Sequence, residues 1–298
     1  MTTRRDFVLS AAALAAAPSA GQKGISLALW SLNRSFFAGH WKLLEVPGIL
    51  RNQLGIVGLE YVNQFFENPT LSYLQKLRRA CSDNGVQSLL LMVDNEGATA
   101  SADRQERKDS EIAHRKWIDI AHYLGCKNVR CNMYGGAEDW KSDKDIVLRA
   151  AETFRNLVEY AKGSGLNIIV ENHGRASSDP DNLIALVKAV NSPDFGLLVD
   201  LGNWNKGDDR YACVRKTIAY GRALSVKGTF GPSADPAFDM EKLLKTALDG
   251  GYQGWWAIEV TPRTAQGEKP SAAELYQREI ALIKEVKAIT ERVVFQKG

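Results

Sequence analysis

The residues of this chain best suited to chemistry stand where apolar runs end. Asn167-Ile168-Ile169-Val170 is a β-branched run that passes directly into Glu171-Asn172-His173-Gly174. A buried strand ending on such groups needs partners for them, because unpaired buried charge is very costly. Side chains alternate along a strand, so Glu171 and His173 share one side while Asn172 takes the other. Two more apolar runs end on acids: 195–199 on Asp200, with Asn203 just beyond, and 255–258 on Glu259. The run 223–227 ends on Lys227. If Glu171, Asp200 and Glu259 converged without a cation they would repel one another and raise each other's pKa. Such a set suits a divalent metal or general acid–base work by paired carboxylates.

The elements that must position these groups follow from periodicity. Further strands are expected at 25–30, 56–61, 86–93 and 128–133. Helical spacing of apolar residues predicts helices over 71–83, 110–124, 144–162, 181–190, 211–220, 238–248 and 272–289, and over 41–54 with an interruption near Pro47. The polar segment 96–107 reads as a loop. Eight strand-then-helix units in one chain predict a single (β/α)8 TIM barrel over residues 24–298. An open doubly wound sheet fits less well, since no Gly-x-Gly-x-x-Gly follows an early strand. In a barrel the carboxyl ends of all strands meet at one mouth. Trp30, Glu60, Asp94, Arg130 and Asn132 join the set there.

At this point the sequence resembles a known family. VENHG, LLVDLGNW, SVKG and WWAIEV, at the ends of strands five to eight, are similar in order and spacing to the sugar phosphate isomerase/epimerase-like, xylose isomerase-like TIM barrels. LGIVGLEYV, LMVDNEG and RKWIDIAHYLGCKNVRCNMYGG extend the resemblance through strands two, three and four. The resemblance implies a divalent ion held by Glu, Asp, His and Glu from strands five to eight, and so assigns Glu171, Asp200 and Glu259 as ligands. Ser225 stands where the family has a His. An oxygen-only set favours Mg²⁺ or Mn²⁺ over Zn²⁺. His173 could supply a nitrogen from the neighbouring strand, or could contact substrate or the ligands instead. The resemblance also implies a sugar isomerase or epimerase in which Glu171 and Glu259 exchange a proton with substrate.

The remaining mouth residues have two readings each. Arg130 could orient a hydroxyl-rich or anionic substrate, or could pair with a barrel carboxylate. Lys227 has the same two readings, and Asn203 and Asn132 are candidate substrate contacts. Trp30 could stack on a sugar ring or belong to the core, and Glu60 could face the site or cap a loop. Lyase or hydrolase action on a keto-glycoside would use the same carboxylates, and a metal-free carbohydrate-binding barrel would explain Ser225. A small-molecule carbohydrate is the partner expected in every case. The net charge of +3 without a basic stripe argues against nucleic acid, and only four histidines argue against an endonuclease-type barrel.

Arg4-Arg5 followed by the apolar run 8–17 resembles a twin-arginine export signal over residues 1–20. The run is too short to span a bilayer, so the expectation is an exported, periplasmic or extracytoplasmic protein with no stable membrane span. Cys81, Cys126, Cys131 and Cys213 form no CxxC pair and read as isolated thiols.

Overall fold

Alternation along eight apolar runs sorts their side chains into an outer set and an inner set. Leu27, Leu59, Val129, Ile168, Leu197, Leu224 and Trp256 belong to the outer set and are all fully buried. The inner set includes Ile169, Leu198, Ala223 and Ala257 and finishes in polar side chains at the carboxyl ends. The computed structural model describes residues 24–136, 140–228, 238–264 and 267–295, and the expected export signal lies outside them.

The strands are β1 (Gly24–Ala28), β2 (Gly58–Val62), β3 (Gln87–Val93), β4 (Asn128–Cys131), β5 (Asn167–Glu171), β6 (Phe195–Asp200), β7 (Gly221–Val226) and β8 (Trp255–Ile258). They pair in parallel in chain order, and β8 closes onto β1. Around them lie α1 (Asn33–Phe37), α2 (Val46–Ile49), α3 (Leu71–Asp83), α4 (Arg104–Leu124), α5 (Ile146–Ala161), α6 (Pro180–Val190), α7 (Arg210–Thr217), α8 (Met240–Asp249) and α9 (Ala272–Val294). The fold is the single (β/α)8 barrel expected from the sequence. Among the described residues no helix is long and apolar enough to cross a membrane.

Local chemistry explains where the elements start and stop. Asp103 accepts the amides of Gln105 and Glu106, so α4 begins at Arg104, inside the segment expected to be loop. The helix expected over 41–54 is broken into a 3-10 turn, the four residues of α2 and a π turn at Leu50–Leu54. Pro47 supplies no amide there, and Gly55 ends the run with a φ of 61°. Trp30 lies beyond β1 in a short 3-10 helix, Leu29–Leu32, and not in a strand. Ser31 fixes that turn to the barrel wall: its hydroxyl donates to the Ile258 carbonyl and accepts from the Val260 amide, both at 3.0 Å.

Two register shifts sit beneath the mouth, at Leu59/Glu60 against β3 and at Leu197/Leu198 against β7. Bulges of this kind re-aim side chains. The second sets Ser225 beside Asp200 and, by alternation, turns Lys227 to the same inner side. β7 begins at Gly221, ahead of the expected 223, since Gly221 already pairs with Leu197.

Candidate active site

Glu171 ends β5, Asp200 ends β6, and Glu259 follows β8, so barrel closure brings three acids from separate parts of the sequence to one mouth. One oxygen from each lies within 4.8 Å of the others, and all three residues are buried. That spacing and oxygen chemistry could hold one hard divalent cation.

The chain's own cations already touch these acids. Lys227 Nζ lies 2.7 Å from Asp200 Oδ2 and 3.1 Å from Glu259 Oε1. Arg130 Nε lies 3.0 Å from Glu171 Oε2, and its Nη1 lies 2.6 Å from Asp94 Oδ1. Neutral donors take other positions. Ser225 Oγ donates to Glu259 Oε2 at 2.8 Å, and Asn203 Nδ2 donates to Glu171 Oε1 at 3.2 Å. Asp200 Oδ1 accepts the amides of Gly202 at 2.6 Å and Asn203 at 2.9 Å.

These surroundings split the acids. Burial is the largest influence on Glu171 and Asp200 and raises both, and the neighbouring Glu259 charge adds to it against Arg130 and Lys227. Burial would also raise Glu259, but Lys227 and the Ser225 hydroxyl outweigh it and hold this carboxyl below its usual range. Asp94 is lowered in the same manner, with Arg130 outweighing burial. Lys227 and Arg130 are both raised, because their acidic neighbours outweigh the burial that disfavours charge.

The other expected residues take different stations. Of the two readings of Arg130 the structure has the pairing one: the side chain is buried between Asp94 and Glu171. Asn132 serves the same cluster, donating to Asp94 Oδ1 at 2.7 Å. Glu60 faces the barrel interior, not a loop; Ser26 Oγ donates to its Oε1 at 2.8 Å, while its Oε2 has no hydrogen-bond partner among the described residues. Burial pushes the Glu60 carboxyl up to about 8. Trp30 is half-buried, stacked on Phe65 at 6.2 Å and edge-on to Phe37 at 6.0 Å.

His173 stands outside the acidic group. β5 ends at Glu171, and Asn172 crosses to β6, where it donates to the Asp200 carbonyl at 2.9 Å and accepts its amide at 2.8 Å. The next residues turn away through Gly174 at a φ of 95°, and His173 Nδ1 meets the Tyr134 hydroxyl at 2.8 Å. His173 thus lies past the end of β5, near enough to the charges of Arg130, Glu259, Lys227 and Asp94 to feel them. Tyr134 and Ser26 escaped the sequence reading because hydroxyls carry no spacing signal. Asp94 was visible as a strand end, but its bond to Arg130 was not.

Residues 52–286 match the family described as the xylose isomerase-like TIM barrel. The chain belongs to that family. A comparison with curated proteins gives no match. Among solved structures, this xylose isomerase-like barrel superposes on L-ribulose 3-epimerase with a TM-score of 0.70 at 15% identity, covering 93% of this chain and 100% of that one. D-Allulose 3-epimerase from Methylomonas sp. in complex with D-allulose gives 0.70 at 12% identity, covering 92% and 98%. The apo form of 3-keto-D-glucoside 4-epimerase from E. coli gives 0.66 at 11%, covering 89% and 99%. At these identities the likeness is one of fold.

Proposed function

We propose that this barrel is a sugar isomerase/epimerase-like enzyme acting on a free sugar or keto-sugar by proton transfer between Glu171 and Glu259. The observation that carries the reading is the meeting of two buried glutamates, from non-adjacent strands, within 4.8 Å across Asp200. The fold neighbours support it, since their names are those of epimerases acting on ketoses and on a keto-glucoside.

In this mechanism the substrate's carbonyl and adjacent hydroxyl point down at the acids. One glutamate takes the hydrogen from the carbon beside the carbonyl, whose electrons move onto the carbonyl oxygen to give an enediolate. The other glutamate returns a proton to the opposite face, and the two exchange roles when the reaction reverses. Lys227 meets the developing negative charge at oxygen, as a positioned cation in a partly water-excluded mouth does. Arg130 holds Glu171 in place, and Ser225 does the same for Glu259. Glu171, Asp200 and Glu259 would hold a divalent ion, Mg²⁺ or Mn²⁺ in preference to Zn²⁺, and that ion would polarise adjacent substrate oxygens. Trp30 offers a ring face for the sugar.

Turnover of free ketoses, keto-glycosides and sugar phosphates in D₂O tests the reading. Deuterium is expected at the carbon beside the carbonyl, and Glu171→Gln and Glu259→Gln should each lower turnover at least ~100-fold. Full turnover by both variants sinks the assignment. Elimination or hydrolysis of the keto-glycoside without epimerisation would favour the lyase or hydrolase reading, for which the keto-glucoside epimerase neighbour is the motive.

Export belongs to the same proposal: Arg4 and Arg5 direct the chain out of the cytoplasm, where free sugars and glycosides are at hand. An Arg4→Lys/Arg5→Lys chain should stay in the cytoplasm of an expressing bacterium, read by fractionation.

A further inference from the structure

Each of the six carboxylate oxygens of the acidic triad lies within 3.2 Å of a nitrogen or hydroxyl of the chain, Asp200 Oδ2 and Glu171 Oε2 by ionic contact without hydrogen-bond geometry. Glu171 Oε1 has Asn203 and Oε2 has Arg130. Asp200 Oδ1 has two backbone amides and Oδ2 has Lys227. Glu259 Oε1 has Lys227 and Oε2 has Ser225. Three buried acids need a neighbouring cation, and here an ammonium bridges two of them at 2.7 and 3.1 Å. A divalent ion bonds to carboxylate oxygens at about 2.0–2.2 Å, so an ion sharing Asp200 Oδ2 and Glu259 Oε1 would occupy nearly the position of Nζ. Two cations cannot share it.

From this we infer that Lys227 is a tethered resident cation of the triad, and that a divalent ion enters only by displacing it. Ser225 fits the same design. A histidine there would offer a strongly coordinating nitrogen to a metal, whereas the serine hydroxyl gives its hydrogen to Glu259 and leaves only the weakly coordinating lone pairs of a neutral oxygen. Lys227 has a way out, because a quarter of its side chain is exposed while Asp200 and Glu259 are buried beneath it. Its flexible stem lets the ammonium swing toward the mouth when an ion arrives. The inference concerns cations alone and holds whichever sugar is turned over.

Calorimetric titration of chelator-treated full-length chain with MnCl₂ tests it. Lys227→Gln keeps a hydrogen-bond donor beside the acids but removes the charge, and it should bind Mn²⁺ at least tenfold more tightly than the parent. Lys227→Arg keeps the charge and should bind like the parent. Equal affinity of parent and Lys227→Gln within twofold overturns the inference, as does absence of binding by both or an equal gain in Lys227→Arg. Thermal melting guards against a folding defect. MnCl₂ should raise the midpoint of Lys227→Gln by more than that of the parent, or restore its folding if folding is lost. A variant that stays unfolded in MnCl₂, or that gains no more than the parent, also overturns it.

Discussion

Glu60 shows how a single side chain can be costly where nothing answers its charge. It is 2% exposed, one oxygen is held by Ser26, and the other has no hydrogen-bond partner among the described residues. An unfolded carboxyl of this type ionises near 4.5, whereas burial holds the folded one to about 8. Between those values the folded state binds more protons than the unfolded state. Stability contributed by the protonated form is therefore present below pH 4.5 and is lost as pH rises through 8, by as much as about 5 kcal/mol. Glu60→Gln is neutral at every pH. Its stability relative to the parent, from urea denaturation at pH 5, 6.5 and 8, should rise with pH. A pH-independent difference would show that Glu60 is ionised in the folded chain. Arg130 and Lys227 show the opposite case. They spend their charge on Asp94, Glu171, Asp200 and Glu259, and so a strand-end arginine that looked free for substrate is part of the wall.

At the scale of elements, one acid ties the end of the chain to its beginning. Glu279 of α9 is fully buried and accepts the amides of Arg34 at 3.2 Å and Ser35 at 3.4 Å, together with the Ser35 hydroxyl. It thus satisfies first-turn amides that α1 itself leaves without helical partners, in a helix too short to hold itself. Glu279→Ala should cost about 3 kcal/mol in urea denaturation, and faster amide exchange should be confined to 30–40, the segment that carries Trp30. Exchange that quickens evenly around the barrel would show that the clamp is not local. The helices legible in the sequence were those with long amphipathic faces, whether capped by a side chain, as α3, α6 and α8 are, or not, as in α5. In the first βα unit the strand and the break near Pro47 were legible, but α1 was not, because it depends on Glu279, 244 residues beyond Ser35. The acids of β5, β6 and β8 were readable as strand endings. Their partners were legible only as a class: a salt bridge to a barrel carboxylate was one reading of Arg130 and Lys227. Which acid each meets depends on barrel closure, and the Lys227 contact with Asp200 crosses the β6–β7 register shift, which leaves no mark in the residue pattern.

For the whole molecule, barrel closure decides what the outside world can reach. The four cysteines lie on α3, after α4, on β4 and on α7, and the closed fold buries every one of them as a free thiol. Burial raises all four pKa values, so the reactive thiolate is scarce as well as hidden. The reading of these residues as isolated thiols agrees with the structure. It also bears on export, because a chain that crosses a membrane already folded would carry its thiols shielded into an oxidising compartment and need no bridge to survive there. In the native state a maleimide should therefore label none of the four within minutes, and in 6 M guanidinium about four per chain, counted by mass spectrometry. The melting midpoint should be the same with and without dithiothreitol. Rapid labelling at Cys213, the most exposed of the set at 6%, with the other three silent would mean that α7 opens by itself. A reductant-sensitive midpoint would mean that the protein carries a bridge the fold does not contain.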